Sequence, residues 1–497
     1  MLLRSPSGGT STTRFVVSLF AVELSALLAS MAITRKGHRS ILAFSASHHG
    51  AVLLVATLVL ALASVVAIHE IRARRSGGFG WLAASLVLNA GSIAVGFTTA
   101  EVVIRLFAVD GPEGPVFGNT ALPPRSWATV AAHNRAMLAK AAAHGSFLVS
   151  DSDLGWTVGV SRRSGDYNLN ASREYLADLR SRFPRDPRAL LKLSGPESRE
   201  GIYLSSSEGI RSPRAGMSFV GRPARDRVAI VGDSFTFGLE VPYDQTWGHQ
   251  LEVALGPGAQ VLNFGVDGYG VDQAFLRYQR DVLAWRPRIV IMGVIDDDLR
   301  RTMCVYGFLC FPASEIPFAK PRFLLQGDRL TRLNRPVPTP DAIFKTPSIL
   351  DLPFIEHHRF FDPVEWEWHF YHHAYSIRFV LSKYGRWPAA GPTVSDAMLR
   401  AVNAEVLRSF VQLARENGSR PIIAYFPSKA EPGPGAAKTR GVAREVLEAN
   451  RISYLDMTDC VNRVDPGERF AILHYSAATN RAVARCLLDS IKGTEAG

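Results

Sequence analysis

The sequence predicts an α/β protein, a three-layer α/β/α domain on a parallel sheet carried behind three membrane-spanning helices. Two observations predict it. Three apolar stretches, residues 15–34, 50–68 and 80–100, each approach the roughly 20 residues needed to cross hydrocarbon. From residue 150 onward, short apolar runs alternate with helix-period patterns, as in sheets whose strands are joined by helical crossovers.

The three apolar stretches fall within the first hundred residues and are bordered by basic clusters, Arg35, Lys36, Arg39 and Arg72, Arg74, Arg75. Buried core helices would not need such flanks, whereas spanning helices use them as topology signals. A cleaved leader fits poorly, because the first stretch is long and no small-residue cleavage site precedes the second. Glu23 and Glu101 are the acids in or at the ends of these stretches, and interfacial or bundle-facing positions suit them. An odd number of spans puts the N-terminus and the bulk of the chain on opposite sides. The flanking charges do not decide which side is which, since Arg4, Arg14, Arg72, Arg74 and Arg75 oppose Arg35, Lys36, Arg39 and Arg105.

Cysteine usage leans one way. Cys304 and Cys310 lie close together, and Cys460 and Cys486 flank the C-terminal region. Two local pairs suit an oxidising compartment, although four buried thiols would leave the same pattern. The expectation is a multi-pass protein of the inner (plasma) membrane with its large domain outside the cytoplasm. A balance of 56 Lys+Arg against 45 Asp+Glu gives +11, but the basic clusters sit beside the apolar spans, so no nucleic-acid partner is expected.

The expected domains are a membrane anchor over 1–107, a Pro/Gly-rich linker with a short helix over 108–149, and an α/β domain over 150–497. Apolar runs at 227–231, 260–265, 288–295, 421–426 and 452–455 read as buried parallel strands. Helical patterns at 271–285, 395–417, 438–450 and 477–491 read as their crossovers. Residues 299–392 break the alternation and read as a cap inserted after the third strand, where open α/β sheets place their ligands.

The chemistry-bearing run is Val228-Ala229-Ile230-Val231-Gly232-Asp233-Ser234-Phe235-Thr236-Phe237-Gly238. A strand passing at once into a small polar turn lifts a serine hydroxyl above the sheet edge, with turn amides free to face an oxyanion. A capped strand-to-helix turn without chemistry would look similar. A phosphate loop does not, because no lysine follows Gly238. The Gly-x-Ser-x-Gly elbow does not fit either, since Asp233 directly precedes the serine.

This run resembles the first signature block of the SGNH (GDSL-like) hydrolases, and Val261-Leu262-Asn263-Phe264-Gly265-Val266-Asp267-Gly268-Tyr269-Gly270 resembles the second. Asp153-Leu154-Gly155-Trp156 and Ser207-Glu208-Gly209-Ile210-Arg211 look like the lead-in of membrane-linked bacterial members. The resemblance implies a flavodoxin-like α/β/α fold, Ser234 as nucleophile and His474 as base. It also implies an oxyanion hole from the amides of Ser234 and Gly268. At the third block the sequence reads Ile295-Asp296-Asp297-Asp298, so that Asp296 lies nearest the family's asparagine. Ala471 occupies the place of the family's aspartate, three residues before His474. A dyad steered by a backbone carbonyl, or a distant Asp465, remains as orienter.

In the cap, Trp366 and Trp368 of the run Trp366-Glu367-Trp368-His369-Phe370-Tyr371-His372-His373 present faces for sugar rings, or simply a hydrophobic lid. His369 and His373 lack the glutamate of a zinc helix, so neither metal nor cofactor is expected. The expected function is serine esterase action on acyl esters of an extracytoplasmic carbohydrate or lipid. The alternatives are O-acyl transfer to a cell-surface polysaccharide and a catalytically silent glycan- or partner-binding domain.

Overall fold

The computed structural model describes residues 97–98, 100–111, 113–118, 120–144, 146–164, 203–221, 224–311, 316–359, 361–384, 395–429 and 441–493. The three expected spans lie outside these residues, apart from Phe97, Thr98 and Ala100. Among the described residues no helix is long and apolar enough to cross a membrane.

The chain divides into two compact units, one comprising 1–129 with 363–390 and the other 130–362 with 391–497. The last third of the expected cap, 363–390, therefore belongs with the N-terminal unit. In that unit the stretch read as a linker pairs into antiparallel strands, Ala108–Gly111 with Gly114–Phe117 and then Thr120–Ala121. Glycine at 111 and 114 permits the tight reversal between the first two strands, which a Pro/Gly count alone reads as linker. Glu101 accepts the amide N–H groups of Tyr375 and Ser376 at 2.9 and 2.7 Å, supplying acceptors to the exposed donors that open the helix Tyr375–Tyr384. Those bonds hold its carboxyl down at about 2, against a burial penalty that acts upward. Ile104, Leu122 and Phe379 form the small core.

The other unit is built on a five-stranded, wholly parallel sheet of β1 (Asp226–Val231), β2 (Ala259–Asn263), β3 (Ile289–Val294), β4 (Arg420–Tyr425) and β5 (Leu455–Asp456). The spatial order is β2-β1-β3-β4-β5, the doubly wound order in which β1 and β3 flank the topological switch point. Side-chain alternation assigns each strand two jobs. Ala229, Val231, Val290, Met292, Val294 and Ile423 enter one core with α2 (Val271–Arg277), α4 (Asp396–Glu416) and α5 (Val442–Ala449). Val228, Ile230, Ile289, Ile291, Ile422 and Ala424 enter the other with α1 (Trp247–Leu255) and α6 (Ala477–Gly493). The result is the three-layer α/β/α arrangement.

Helix limits follow capping chemistry. Thr246 accepts the His249 N–H at 3.3 Å to open α1, and Ser395 accepts that of Met398 at 3.2 Å to open α4. Along α4, Leu399, Val402, Val406, Leu407, Phe410 and Ala414 are buried at the three-and-four spacing of one helical face. The part of the expected cap that stays in this unit, 299–362, carries its own hairpin, Arg322–Gln326 with Arg329–Leu333. A buried ion pair, Lys320 Nζ to Asp272 at 2.5 Å, ties it to α2. Breaking one partner of such a pair costs several kcal/mol, on the order of 3 to 5, because the other charge is left unpaired.

Candidate active site

Ser234 stands immediately beyond β1, at the first position of the helical turn Ser234–Phe237. Asp233 caps that turn, its Oδ1 accepting the Phe235 N–H at 2.9 Å. Gly232 must be glycine: its φ is +151°, and a Cβ would lie 2.8 Å from the carbonyl oxygen of Gly293 on β3. Asn263, ending β2, stitches the second block to the first. Its Nδ2 donates to the Thr236 carbonyl at 2.9 Å, and its Oδ1 accepts the Gly265 N–H at 2.9 Å.

Gly268 follows in a left-handed conformation, φ +76°, where a Cβ would collide with Ile316 at 2.5 Å. The lead-in segments buttress this turn. Trp156 Nε1 donates to the Asp267 carbonyl at 2.9 Å, and the Tyr269 hydroxyl donates to the Trp156 carbonyl at 2.6 Å. The amides of Ser234 and Gly268 have no hydrogen-bond partner among the described residues.

His474 arrives from 240 residues downstream on the loop that precedes α6. A tight reversal shapes that loop, the Ala471 N–H donating to the His474 carbonyl at 2.8 Å. Its Nε2 lies 2.8 Å from Ser234 Oγ, within the range for a nucleophile and its base. The other ring nitrogen, Nδ1, lies 2.8 Å from Oε1 of Glu240. With Nδ1–H donating to Glu240, Nε2 is left to accept the serine proton.

Glu240 is the residue that reading the sequence missed. Neither Asp465, which is exposed, nor a backbone carbonyl orients the imidazole. The Glu240 carboxylate also accepts the backbone N–H groups of Ile472, Leu473 and His474 at 2.7, 3.0 and 3.0 Å, so it holds the whole loop and not the ring alone. Burial opposes its ionisation, but His474 and these amides outweigh burial and keep its pKa below the usual carboxylate value. Conversely, burial pulls His474 down while Glu240, then Asp267 and Asp233, raise it, with a net shift upward from 6.5.

A non-glycine φ of +69° at Glu240 costs on the order of 1 kcal/mol and survives only where the surroundings impose it. Here they do. The Tyr203 hydroxyl accepts the Glu240 N–H at 2.8 Å, and the fully buried Arg211 donates to the Val241 carbonyl at 2.8 Å. Its guanidinium lies over the rings of Tyr203 and Phe237, 4.7 Å from each centroid. One signal was present in the sequence: Glu240 is the sole acid between Asp233 and Asp244.

Asp296, which the sequence places nearest an oxyanion hole, is engaged with another segment. Its Oδ1 accepts the Ala443 N–H at 2.6 Å, at the N-terminus of α5, where amide donors attract a carboxylate. Ile295, the residue before it, is buried in the hydrophobic core. Trp366 and Trp368 belong to the N-terminal unit, where Arg125 lies 5.7 Å from the Trp366 ring and Arg378 5.8 Å from the Trp368 ring. Four cysteines form two disulfides, Cys304–Cys310 and Cys460–Cys486. His358 comes near the first, but its Nδ1 accepts the Val305 N–H at 3.2 Å. With that nitrogen occupied and both sulfurs bonded, this group is a poor donor set for a metal.

No protein-family model and no curated relative matches this chain. Solved structures to which it is similar include a lipolytic protein of the G-D-S-L family from Desulfitobacterium hafniense, at 14% identity over 52% of this chain and 94% of that one, with a TM-score of 0.26. A lipase/acylhydrolase from Enterococcus faecalis matches at 14% identity over 54% and 96%, with a TM-score of 0.29. A catalytic mutant of an acetylxylan esterase from Geobacillus stearothermophilus matches at 14% identity over 54% and 95%, with a TM-score of 0.28. These scores are too low to carry residue roles across.

Proposed function

We propose that this chain is a serine esterase of the SGNH type, membrane-anchored, that removes acyl groups from a carbohydrate or lipid outside the cytoplasm. The observation that carries the reading is the continuous relay Ser234–His474–Glu240, with both contacts at 2.8 Å. Ser234 Oγ attacks the ester carbonyl as its proton passes to His474 Nε2, and the imidazolium is stabilised by Glu240. The negative charge that forms on the carbonyl oxygen is met by the amides of Ser234 and Gly268, both lacking other partners among the described residues. Collapse expels the alcohol, which takes the proton from His474. Water, deprotonated by the same histidine, then releases the acid and regenerates the serine.

A silent binding domain is the reading that Asp296 and Ala471 suggest; what supports the catalytic one is the carboxylate of Glu240, 2.8 Å from the His474 ring. Support for the compartment comes from the two disulfides, and support for the anchor from the apolar stretches at 15–34, 50–68 and 80–100. The test is labelling of the full chain with a fluorophosphonate, alongside hydrolysis of p-nitrophenyl acetate. Ser234→Ala should abolish labelling and lower turnover by about 10⁴-fold or more with its melting temperature retained. A wild-type chain that takes no label, or a Ser234→Ala variant that still turns over, removes the proposed nucleophile.

A further inference from the structure

Among the described residues the amides of Ser234 and Gly268 lack partners, while Asp296 is bound to the N-terminus of α5 and Ile295 lies in the core, so neither of these two adds a side-chain donor. The next turn of the same helix, α3 (Asp296–Arg301), carries Arg301. One nitrogen of its guanidinium, Nη1, donates to Asp298 Oδ1 at 2.8 Å, to the Tyr269 carbonyl at 3.1 Å and to Asp233 Oδ2 at 3.4 Å. Those three acceptors come from the segments that follow β3, β2 and β1, so the guanidinium sits where the three sheet ends converge. Asp233 Oδ2 is itself 3.4 Å from Ser234 Oγ, and Tyr269 is the residue after Gly268.

The ring of Phe311 lies 5.2 Å from the guanidinium carbon and also packs beside Gly268, 3.8 Å from where its Cβ would be. Arg301 is thus clamped on one nitrogen and backed by an aromatic face. Its side chain is only 14% exposed; Nε is buried without a hydrogen-bond partner, and Nη2, which is not fully buried, has none among the described residues. A buried cationic donor without an acceptor is unfavourable unless an acceptor arrives during function. The acids around it, Asp298 and Asp233 first, outweigh its burial and keep it charged.

We propose that Arg301 supplies the third oxyanion donor, its free guanidinium edge meeting the acyl oxygen beside the amides of Ser234 and Gly268. This rests on Ser234 being the nucleophile and deepens that reading. When Ser234 Oγ bonds to the acyl carbon, the carbonyl π pair moves onto oxygen and the serine proton passes to His474. Arg301 keeps all its protons and donates a hydrogen bond to the new charge. A donor fixed beforehand by Asp298 and Tyr269 needs little reorganisation as that charge forms, which is what makes such a group effective. Because the contact strengthens only in the transition state, its loss should lower kcat and leave KM nearly unchanged.

The experiment compares wild type, Arg301→Lys, Arg301→Gln and Arg301→Ala in p-nitrophenyl acetate hydrolysis and in the rate of fluorophosphonate labelling, where negative charge likewise builds on an oxygen, here bound to phosphorus. Arg301→Gln should lose roughly 10²-fold in kcat with KM within about twofold, and its labelling should slow in parallel. Guanidinium ion should restore part of the activity of Arg301→Ala. A kcat within about threefold of wild type, or a rise in KM alone, overturns the assignment, the latter pointing to a clamp on an anionic substrate group. Should Arg301→Gln fail to fold, Arg301→Ala carries the test: a kcat within about threefold of wild type without added guanidinium overturns it as well. The two readings fail differently. A wild-type chain that takes no label sinks the nucleophile, whereas equal labelling of wild type and Arg301→Gln sinks only the third donor.

Discussion

The two ends of the candidate relay are built on opposite principles. At the nucleophile end, Gly232 to Gly238 and Asn263 to Gly268 shape themselves: short turns, positive-φ glycines and one asparagine bridging the Thr236 carbonyl and the Gly265 amide. At the base end the local reversal, with the Ala471 N–H on the His474 carbonyl, engages the backbone and not the ring. The His474 loop is fixed by a carboxylate 234 residues away in sequence, which grips three consecutive amides as well as the ring. The difference teaches that a nucleophile can be written into a contiguous motif, while the orientation of its base can be delegated to any carboxylate that the fold delivers to the right place.

The strongest way to break that comparison is Glu240→Gln, which keeps the shape and removes the charge. Turnover should fall by about 10² to 10⁴-fold, and the acid limb of the kcat/KM profile should move to lower pH. The sign follows from His474, whose pKa stands above 6.5, with burial opposing and Glu240 leading the upward pull. Removing that charge lowers the imidazole pKa, so the neutral, active base persists in more acidic solution. Asp267 and Asp233 also raise it, so the limb should shift without vanishing. Adding Ala471→Asp to Glu240→Gln sharpens the point. Partial recovery would show that the loop accepts a carboxylate from either place, and none would show that gripping the amides matters more than charge beside the ring.

A smaller effect is expected from Cys460→Ala. The Cys460–Cys486 disulfide joins the helix Thr458–Asn462 to α6, on either side of the His474 loop. Closing a loop with a sequence separation of 26 is worth about 3.5 kcal/mol on chain-entropy grounds. Denaturant unfolding should register that loss. At temperatures where the variant stays folded, its Ser234 should still take a fluorophosphonate, because the nucleophile turn does not depend on the bridge. The smallest effect belongs to Tyr203→Phe, which deletes the acceptor for the Glu240 amide. A net hydrogen bond of about 1 kcal/mol translates to a loss of several-fold in kcat, with the pH profile displaced in the same direction as for Glu240→Gln. An unchanged profile would show that Arg211 holds the Glu240 turn without Tyr203.

The parallel sheet was legible because buried strands carry near-continuous apolar runs. All five runs correspond to strands within a few residues, and Ser395 opens α4 as its capping chemistry requires. Less legible was the segment 108–121, whose glycines and prolines read as linker but whose backbone pairs across a tight reversal. The partner of Asp296 was illegible for a related reason. A carboxylate after a strand end looks like a site residue until a neighbouring helix N-terminus, 147 positions later, is seen to take it.

By itself the sequence determined the order of the layers, the turn that carries Ser234, the glycines that permit it and the place of His474 before the last helix. Periodicity, turn chemistry and φ requirements are short-range, so they leave marks in neighbouring residues. Only the tertiary structure decided that Glu240 meets the His474 ring and that Arg301 stands where three strand ends meet. Both depend on side chains that converge from distant segments, and a hydrogen bond about 3 Å long leaves no periodic trace in a chain that travels hundreds of residues to make it.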